Sequence, residues 1–468
     1  MKHLLFIFLF ASLSVQAKVT LPAIYSNGMV LQRNQPIRIW GQADPKEKIQ
    51  ILFAEQKQTA KADAKGYWEV NLKGGLYQLQ ITGKDNQISI KDILIGDVWL
   101  CSGQSNMQWV VNNVTNAEVE KKNANYSQIR TLNIPRRMEL SPKDTISTTW
   151  LVCSPETVGR FSGVAYFFAR KVYEETNIPI GIINSSWGGT IVETWTSLEA
   201  ANTLPQKRLD RYNKNEKLSP PTEYFTRTNK EAKRNDYPSL VYNAMIHPLL
   251  SFAIKGVVWY QGENNVGNAE PYTDWLTCMI SDWRNRWNSE LPFYIIQLPN
   301  FDSTNKTPLW AEIRDAQRKV LTVPKTHLIV TSDLGDPHDL HPRNKQEVGM
   351  RVALQVLHHE YGRPDIVSES PMFERMEING DKIIITFKNT GSGLEIRSRY
   401  GCLQGFTIAG EDKKFYWAQG ELKDNRIVIW NPKVPNPIAV RYNWENNPDG
   451  NLYNKDGLPA CLFRTDNW

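Results

Sequence analysis

Strand-like and helix-like segments alternate between Asp97 and about Gly362, and this alternation limits the possible folds more than any other feature. The strand-like runs are apolar, rich in β-branched and aromatic residues, and comprise Val98–Leu100, Gly181–Asn184, Gly256–Tyr260, Phe293–Ile296 and Leu328–Thr331. The helix-like segments are Val164–Glu175, Tyr272–Trp287, Trp310–Leu321 and Asn344–Tyr361. Such a pattern is typical of a parallel sheet covered by helices on both faces. We therefore predict an α/β domain over 96–362, with functional residues at the carboxyl ends of its strands.

The segments on either side of this domain have a different pattern. Short β-like runs broken by turns occupy 18–95 and 363–468; they include Ile37–Trp40, Ile49–Phe53, Tyr67–Val70, Ile88–Ile90, Lys382–Phe387, Arg426–Trp430 and Ile438–Tyr442. Short strands at close spacing indicate antiparallel β structure. The sequence predicts an N-terminal β-domain (18–95) and a C-terminal β-rich domain (363–468).

The first 17 residues have the features of a secretory signal peptide. A basic start at Lys2 precedes an apolar run from Leu4 to Leu13 and a small-residue ending at Ala17. The apolar run is too short to span a bilayer, and no later stretch is long and apolar enough to do so. We expect cleavage after Ala17 and a secreted or periplasmic protein.

Charge and cysteine content exclude several classes of protein. The 55 Lys+Arg and 49 Asp+Glu residues give a net charge of +6 that is spread along the chain, so no basic patch for nucleic acid is predicted. The five cysteines form no CxxC pair, which argues against zinc ribbons. We expect at least one buried free thiol, and a disulfide, if present, between Cys402 and Cys461.

Ser105 is the strongest candidate for a nucleophile. It follows the predicted strand ending near Ser102, with Gly103 permitting a sharp turn. Such a turn exposes a hydroxyl beside backbone N–H groups that can stabilise an oxyanion. Serine is also common in ordinary turns, so this pattern alone does not establish the role.

A base for this serine is expected in the loop after Leu328–Thr331. That loop carries His338 and His341 together with three carboxylates, Asp333, Asp336 and Asp339. A histidine beside a carboxylate can take the serine proton and later protonate a leaving alcohol. Metal binding by the same side chains is the alternative, although no HExxH motif accompanies them.

Two further polar loops follow strands of the same predicted sheet. Asn184–Thr190 offers backbone N–H donors, and Gln261–Asn265 offers side-chain amides and one carboxylate. We expect all four post-strand loops to converge on one crevice.

An ordered set of motifs resembles the sialate O-acetylesterase family of SGNH-type hydrolases. The motifs are Gly103–Met107, Trp187–Thr190, Trp259–Glu263, Asp339–Pro342 with Asn344-Lys345 and Val348-Gly349, and the terminal pieces Asn27–Gln32 and Phe463–Trp468. The resemblance implies an SGNH-hydrolase-like fold and hydrolysis of acetyl esters on sugars or glycans, with no metal and no organic cofactor. The expected substrates are 9-O-acetylated and related sialic acids.

The resemblance also implies residue roles. Ser105 is the expected nucleophile and His341 the general base, and the Ser105 N–H, an N–H of Gly188 or Gly189, and the Gln261 side chain are the expected oxyanion hole. Many SGNH hydrolases have an aspartate three residues before the histidine, where this chain has His338. Asp339 is then the first choice for the third member of the triad, Asp336 the second, and a Ser–His dyad supported by a backbone carbonyl stays open.

Three other functions compete with this one. The same machinery suits acetylated xylan or other polysaccharides. The 16 Trp and 18 Tyr residues suit a non-catalytic carbohydrate-binding protein, and Glu263 with Asp339 suits a glycoside hydrolase. The carbohydrate-binding and glycoside hydrolase functions give Ser105 no chemical role. The sequence leaves the oligomeric state open.

Overall fold

The computed structural model describes residues 18–54, 56–72, 77–214, 216–220, 236–302 and 307–468. The predicted signal peptide, residues 1–17, lies outside these described residues. Within them, no helix combines the length and the apolar character that crossing a membrane requires.

The N-terminal segment consists of short strands that lead into one long strand. They are β1 (Val30–Gln32), β2 (Ile37–Gln42), β3 (Lys48–Phe53), β4 (Gln56–Lys61), β5 (Tyr67–Leu72), β6 (Tyr77–Thr82) and β7 (Gln87–Gly103). Antiparallel pairs join β3 to β4 and β6, β6 to β7, and β2 to β5. Buried and exposed residues alternate along β3, as expected of a strand with one face on a core.

Strand β7 belongs to both the N-terminal segment and the central sheet. Its first part pairs with β6, Leu94–Gly96 pair with β1, and the part from Asp97 onward lies in the central sheet. The predicted boundary between 95 and 96 therefore falls inside one continuous strand. The division into domains stays a prediction.

Neighbouring strands of the central sheet are parallel, except for an antiparallel strand at one edge. Its further strands are β8 (Ile129–Asn133), β9 (Trp150–Val152), β10 (Ile180–Ser186), β11 (Gly256–Tyr260), β12 (Phe293–Ile296) and β13 (Thr326–Ile329). The strand order is β13-β12-β11-β7-β10-β8-β9, and β9 is the strand that runs antiparallel to its neighbour. The strands after β7 are added first on one side of it and later on the other. The carboxyl ends of β10, β7 and β11 are therefore where a substrate crevice is expected.

Helices cover both faces of this sheet, as predicted. The helices are α1 (Ser105–Gln108), α2 (Ala117–Lys122), α3 (Gly163–Thr176), α4 (Leu198–Ala201), α5 (Gln206–Leu209), α6 (Ala269–Trp287), α7 (Leu309–Lys319) and α8 (Lys345–Glu360). Trp99 pairs in register with Gly256, so Trp259, three residues further, points to the opposite face. The Trp99 ring meets Phe168 of α3 at 5.3 Å, whereas the Trp259 ring meets Trp283 of α6 at 5.9 Å.

The C-terminal segment is antiparallel β structure with its own core. Its strands are β14 (Met372–Asn379), β15 (Lys382–Lys388), β16 (Leu394–Ile396), β17 (Phe406–Ala409), β18 (Phe415–Trp417), β19 (Gln419–Lys423), β20 (Arg426–Trp430), β21 (Ala439–Tyr442), β22 (Leu452–Asn454) and β23 (Phe463–Arg464). They form the sheets β14-β15-β20-β19 and β18-β17-β21-β23 and the pair β16-β22. The fully buried Arg314 of α7 donates to the Glu445 carbonyl, which joins this segment to the central domain.

The predicted Cys402–Cys461 disulfide is not present, because all five cysteines are free thiols. Cys461 is buried in the main core, where Gln297 donates to its sulfur at 3.7 Å, whereas Cys402 is exposed. Although both cysteines lie in the C-terminal segment, their side chains are in different environments. The expected buried free thiols are found at Cys101, Cys153 and Cys461.

Candidate active site

Ser105 lies at a sharp turn between the end of β7 and the start of α1. Gly103 has a φ of +135°, and a Cβ there would lie 2.0 Å from the Tyr260 carbonyl oxygen. Only glycine fits such a position. The Gln104 N–H donates to the same carbonyl at 2.9 Å, which fixes the turn against β11. Ser105 is half-buried, so it is partly accessible to solvent at this turn.

His341 lies against the same turn. Its ring stacks on Trp109 with centroids 4.9 Å apart and planes at 9°, and the Trp109 N–H donates to the Ser105 carbonyl at 2.9 Å. The Asn106 side chain donates to the Leu340 carbonyl at 3.1 Å. The residues next to Ser105 and His341 are therefore bonded directly, and the two predicted catalytic loops are in contact.

The two ring nitrogens of His341 have different surroundings. Nε2 is buried and has no hydrogen-bond partner among the residues that the structure describes, so the Ser105 hydroxyl is not bonded to it. Nδ1 lies 4.0 Å from an oxygen of Asp339, which also accepts the His341 backbone N–H at 2.8 Å. A general base requires this arrangement: a carboxylate near Nδ1 stabilises the protonated ring, and an unbonded Nε2 can accept a proton.

The electrostatic surroundings of His341 favour the neutral ring. Partial burial lowers the pKa of His341, the nearby Lys345 lowers it further, and Asp339 opposes both effects. A neutral imidazole is the form that accepts a proton from a serine.

The other acidic groups of this loop are engaged in local structure. Both oxygens of Asp333 pair with Arg351 at 2.7 Å. An oxygen of Asp336 accepts the His338 backbone N–H at 2.8 Å. Of the three carboxylates in this loop, Asp339 is the one for which the structure gives a contact with the His341 ring. The choice of third member nevertheless stays a prediction.

The glycine loop after β10 lies beside Ser105. A Cβ on Gly188 would lie 3.1 Å from the Ser105 Cβ, so Gly188 allows the close approach. Its N–H donates to the Gln108 side chain at 2.8 Å. Gly189 is exposed, and its carbonyl accepts from Asn264 at 2.5 Å. Gly188 is thus the one of the two glycines that contacts the predicted nucleophile.

Gln261 lies under the crevice, but its amide is bonded within the protein. The side chain is fully buried, and its nitrogen donates to the Thr190 carbonyl at 3.1 Å and to Asn265 at 2.7 Å. Its Oε1 atom has no hydrogen-bond partner within the described part of the chain. This arrangement supports the loops around Ser105 and leaves no free amide hydrogen for an oxyanion, so the role assigned to Gln261 stays a prediction without support from the geometry.

A buried polar network beneath Ser105 and His341 was not anticipated. Asn106 donates to an oxygen of Glu263 at 2.5 Å and accepts from the Lys345 ammonium at 2.5 Å. Burial lowers the pKa of Lys345 to about 7 and raises that of Glu263. The sequence signal for this network is that Asn106, Glu263 and Lys345 each lie within a motif shared with the sialate O-acetylesterase family. Since Asn106 holds Glu263 in the interior, the glycoside hydrolase alternative is less well supported than the esterase.

The fold and the site together define a class of enzyme. A half-buried serine at a strand-to-helix turn of a parallel sheet, on a loop that contacts a histidine-bearing loop, suits a serine-dependent hydrolase. The family model of carbohydrate esterases described as sialic acid-specific acetylesterase matches residues 95–358. The chain belongs to this family and is a carboxylic ester hydrolase.

Individual relatives agree with this assignment. The sialate O-acetylesterase of Homo sapiens is 31% identical over 407 residues, which covers 76% of this chain and 74% of the relative. The Mus musculus enzyme is 28% identical over 483 residues, covering 90% and 88%. A crystal structure of a carbohydrate acetylesterase from Xanthomonas citri superposes with a TM-score of 0.87 at 37% identity, covering 96% of this chain and all of that one.

Proposed function

We propose that this esterase, which hydrolyses O-acetyl groups on sugars, acts on 9-O-acetylated and related sialic acids outside the cytoplasm. The single observation that carries the catalytic part is the contact between the Ser105 and His341 loops, made by the Asn106 bond to the Leu340 carbonyl and by the stacking of His341 on Trp109. The reaction then requires the Ser105 hydroxyl to reach His341 Nε2, to which it is not bonded in this structure. The sialic acid preference is supported by the family to which the chain belongs and by the names of its mammalian relatives.

The proposed reaction has two halves. The Ser105 hydroxyl attacks the acetyl carbonyl while its proton passes to His341 Nε2. The Ser105 N–H stabilises the oxyanion, and the Gly188 N–H joins it only when it leaves the Gln108 side chain, to which it donates at 2.8 Å. The C–O bond to the sugar then breaks, and the sugar oxygen takes the proton from His341. Water attacks the acetyl-serine with His341 again as base, which releases acetate and restores Ser105.

The substrate class is tested by comparing two acetylated substrates. Release of acetate is measured from 9-O-acetylated sialic acid and from acetylated xylan, with the Ser105→Ala variant as the blank. We expect a higher kcat/KM on the sialic acid. A higher value on xylan would favour the second candidate, a polysaccharide acetylesterase, without affecting the catalytic residues.

Recognition of the sialic acid carboxylate is expected to involve Arg343. This arginine is exposed and lies two residues after His341, and a guanidinium binds a carboxylate in a bidentate manner. Arg343→Gln should raise KM for acetylated sialic acid and leave KM for an uncharged acetyl sugar unchanged. Arg399→Gln, an exposed arginine of the C-terminal segment, is the matched control. Equal effects of Arg343→Gln on both substrates would contradict the proposal.

The extracellular location is tested by fractionation. We expect the protein in the medium or the periplasm, with Lys18 as its first residue. An uncleaved N-terminus in the cytoplasm would contradict this part of the proposal.

A further inference from the structure

Three potential metal ligands lie together on the side of the molecule away from Ser105. His327 is in β13, the edge strand of the central sheet, His359 is in the last turn of α8, and Glu369 is in the segment that leads to β14. One donor atom of each side chain lies within 4.8 Å of the other two. The esterase mechanism uses none of these three residues.

The geometry is close to that of a metal site. His359 Nε2 lies 3.4 Å from an oxygen of Glu369, and the two imidazole rings have their centroids 4.0 Å apart. Two ligands of a tetrahedral zinc ion, each at about 2.1 Å, lie about 3.4 Å from one another. The His359–Glu369 pair already has this spacing, whereas a donor pair at the 4.8 Å limit would need to close by about 1.4 Å.

Neighbouring residues hold these side chains in place. The His327 ring stacks on Tyr294 of β12 with centroids 4.8 Å apart. Residues 368 and 370, on either side of Glu369, are buried serines, so the backbone there is fixed. His358 contacts the Ile366 carbonyl through Nδ1 at 2.9 Å, which attaches the end of α8 to the same segment. Such supporting contacts orient ligands and raise metal affinity.

We propose that His327, His359 and Glu369 bind a zinc-like divalent transition metal that fastens the α/β domain to the C-terminal β segment. Two imidazoles and one carboxylate suit zinc and its neighbours, whereas magnesium and calcium prefer oxygen ligands. A water molecule would complete a tetrahedral shell.

The role is structural rather than catalytic, because the cluster is distant from the crevice. Helix α8 begins at Lys345, beneath Ser105, and His359 lies 14 residues further along it. At about 1.5 Å per residue, this separation is roughly 21 Å along the helix axis. Metal binding should therefore change stability and leave esterase turnover unchanged.

The test uses the purified mature chain after removal of metal with EDTA. Zinc chloride is titrated by calorimetry, cobalt(II) is added in parallel to record the visible absorption of a tetrahedral site, and melting temperature is followed with rising zinc. The variants are His359→Gln and Glu369→Gln, whose side chains are partly exposed. His247→Gln is the matched control, since His247 also lies beside a carboxylate, Asp144 at 3.7 Å.

We expect one zinc ion per chain, a melting temperature that rises with zinc, and roughly 100-fold weaker binding in both variants, because loss of an outer-shell partner alone costs about 10–100-fold. His247→Gln should bind as the parent does. The proposal is overturned if the parent does not bind zinc, or if His359→Gln and Glu369→Gln bind it as tightly as the parent. It is also overturned if zinc changes turnover without changing melting temperature.

Discussion

Ser105 is half-buried at the turn after β7, so removal of its hydroxyl should separate activity from stability if it is the nucleophile. Ser105→Ala is expected to lower kcat on an acetyl ester by on the order of 10⁶-fold with an unchanged melting temperature. Ser89→Ala is the matched control, because Ser89 is exposed near the other end of the same strand. Activity within tenfold of the parent in Ser105→Ala would remove Ser105 from the mechanism.

The surroundings of His341 predict the acid limb of the pH profile. A base must be neutral, and burial together with Lys345 lowers the pKa of His341 below its usual 6.5. Activity should therefore persist as the pH falls below 6.5 and decline only at a lower midpoint, measured as kcat/KM against pH.

Substitutions of Lys345 test whether its charge lowers the pKa of His341. Lys345→Met removes a positive charge near His341 and should move the midpoint to higher pH, whereas Lys345→Arg should not. Lys171→Met, far along α3, serves as a surface control. An unchanged midpoint in a Lys345→Met variant with native melting temperature would mean that Lys345 does not set this pKa.

Asp339 is expected to assist His341 through charge more than through a hydrogen bond. Its oxygen lies 4.0 Å from Nδ1, longer than a hydrogen bond. Asp339→Asn should then cost less than the roughly 10⁴-fold typical of a bonded triad carboxylate, measured as kcat at fixed pH. A larger loss in Asp336→Asn would transfer the role to Asp336, and no loss in either variant would favour a dyad.

At the scale of the elements, the turn after β7 depends on Gly103. Gly103→Ala would combine a strained φ with a Cβ 2.0 Å from a backbone oxygen. We expect loss of activity and a fall in unfolding free energy well above the roughly 1 kcal/mol of backbone strain alone. Gly380→Ala isolates that strain, since Gly380 has a φ of +62° with nothing within 4 Å. The unfolding free energy of both variants is measured by urea denaturation. Equal losses in Gly103→Ala and Gly380→Ala would contradict the steric argument.

The strands and helices were predictable because their signals are local. Each strand-like and helix-like segment of 96–362 overlaps an element of the structure, from α3 to α8 and from β7 to β13. The partners of buried polar side chains were not predictable. Asn106 meets Glu263 and Lys345 across 157 and 239 residues of chain, and Gln261 has partners that depend on the exact approach of two loops. Periodicity carries no information on such contacts.

At the scale of the whole molecule, removal of metal should distinguish stability from catalysis. EDTA is expected to leave esterase activity unchanged, because in the proposed mechanism a serine supplies the nucleophile and backbone N–H groups supply the oxyanion site. It should lower the melting temperature if the His327–His359–Glu369 cluster binds metal. Activity that falls in EDTA and returns with zinc or calcium would show that the reaction itself needs a metal.

The continuity of β7 limits how this protein can be recombined with its relatives. Its 17 residues extend from the N-terminal β segment to the turn before Ser105. Successive side chains of a strand point to opposite faces, so an insertion of one residue within β7 would exchange the faces of every residue beyond it unless the strand bulged. Trp99 would then face α6 instead of α3. A chimaera of two family members must therefore keep the number of residues in this strand even or odd as it is here, so that every side chain beyond the junction keeps its face.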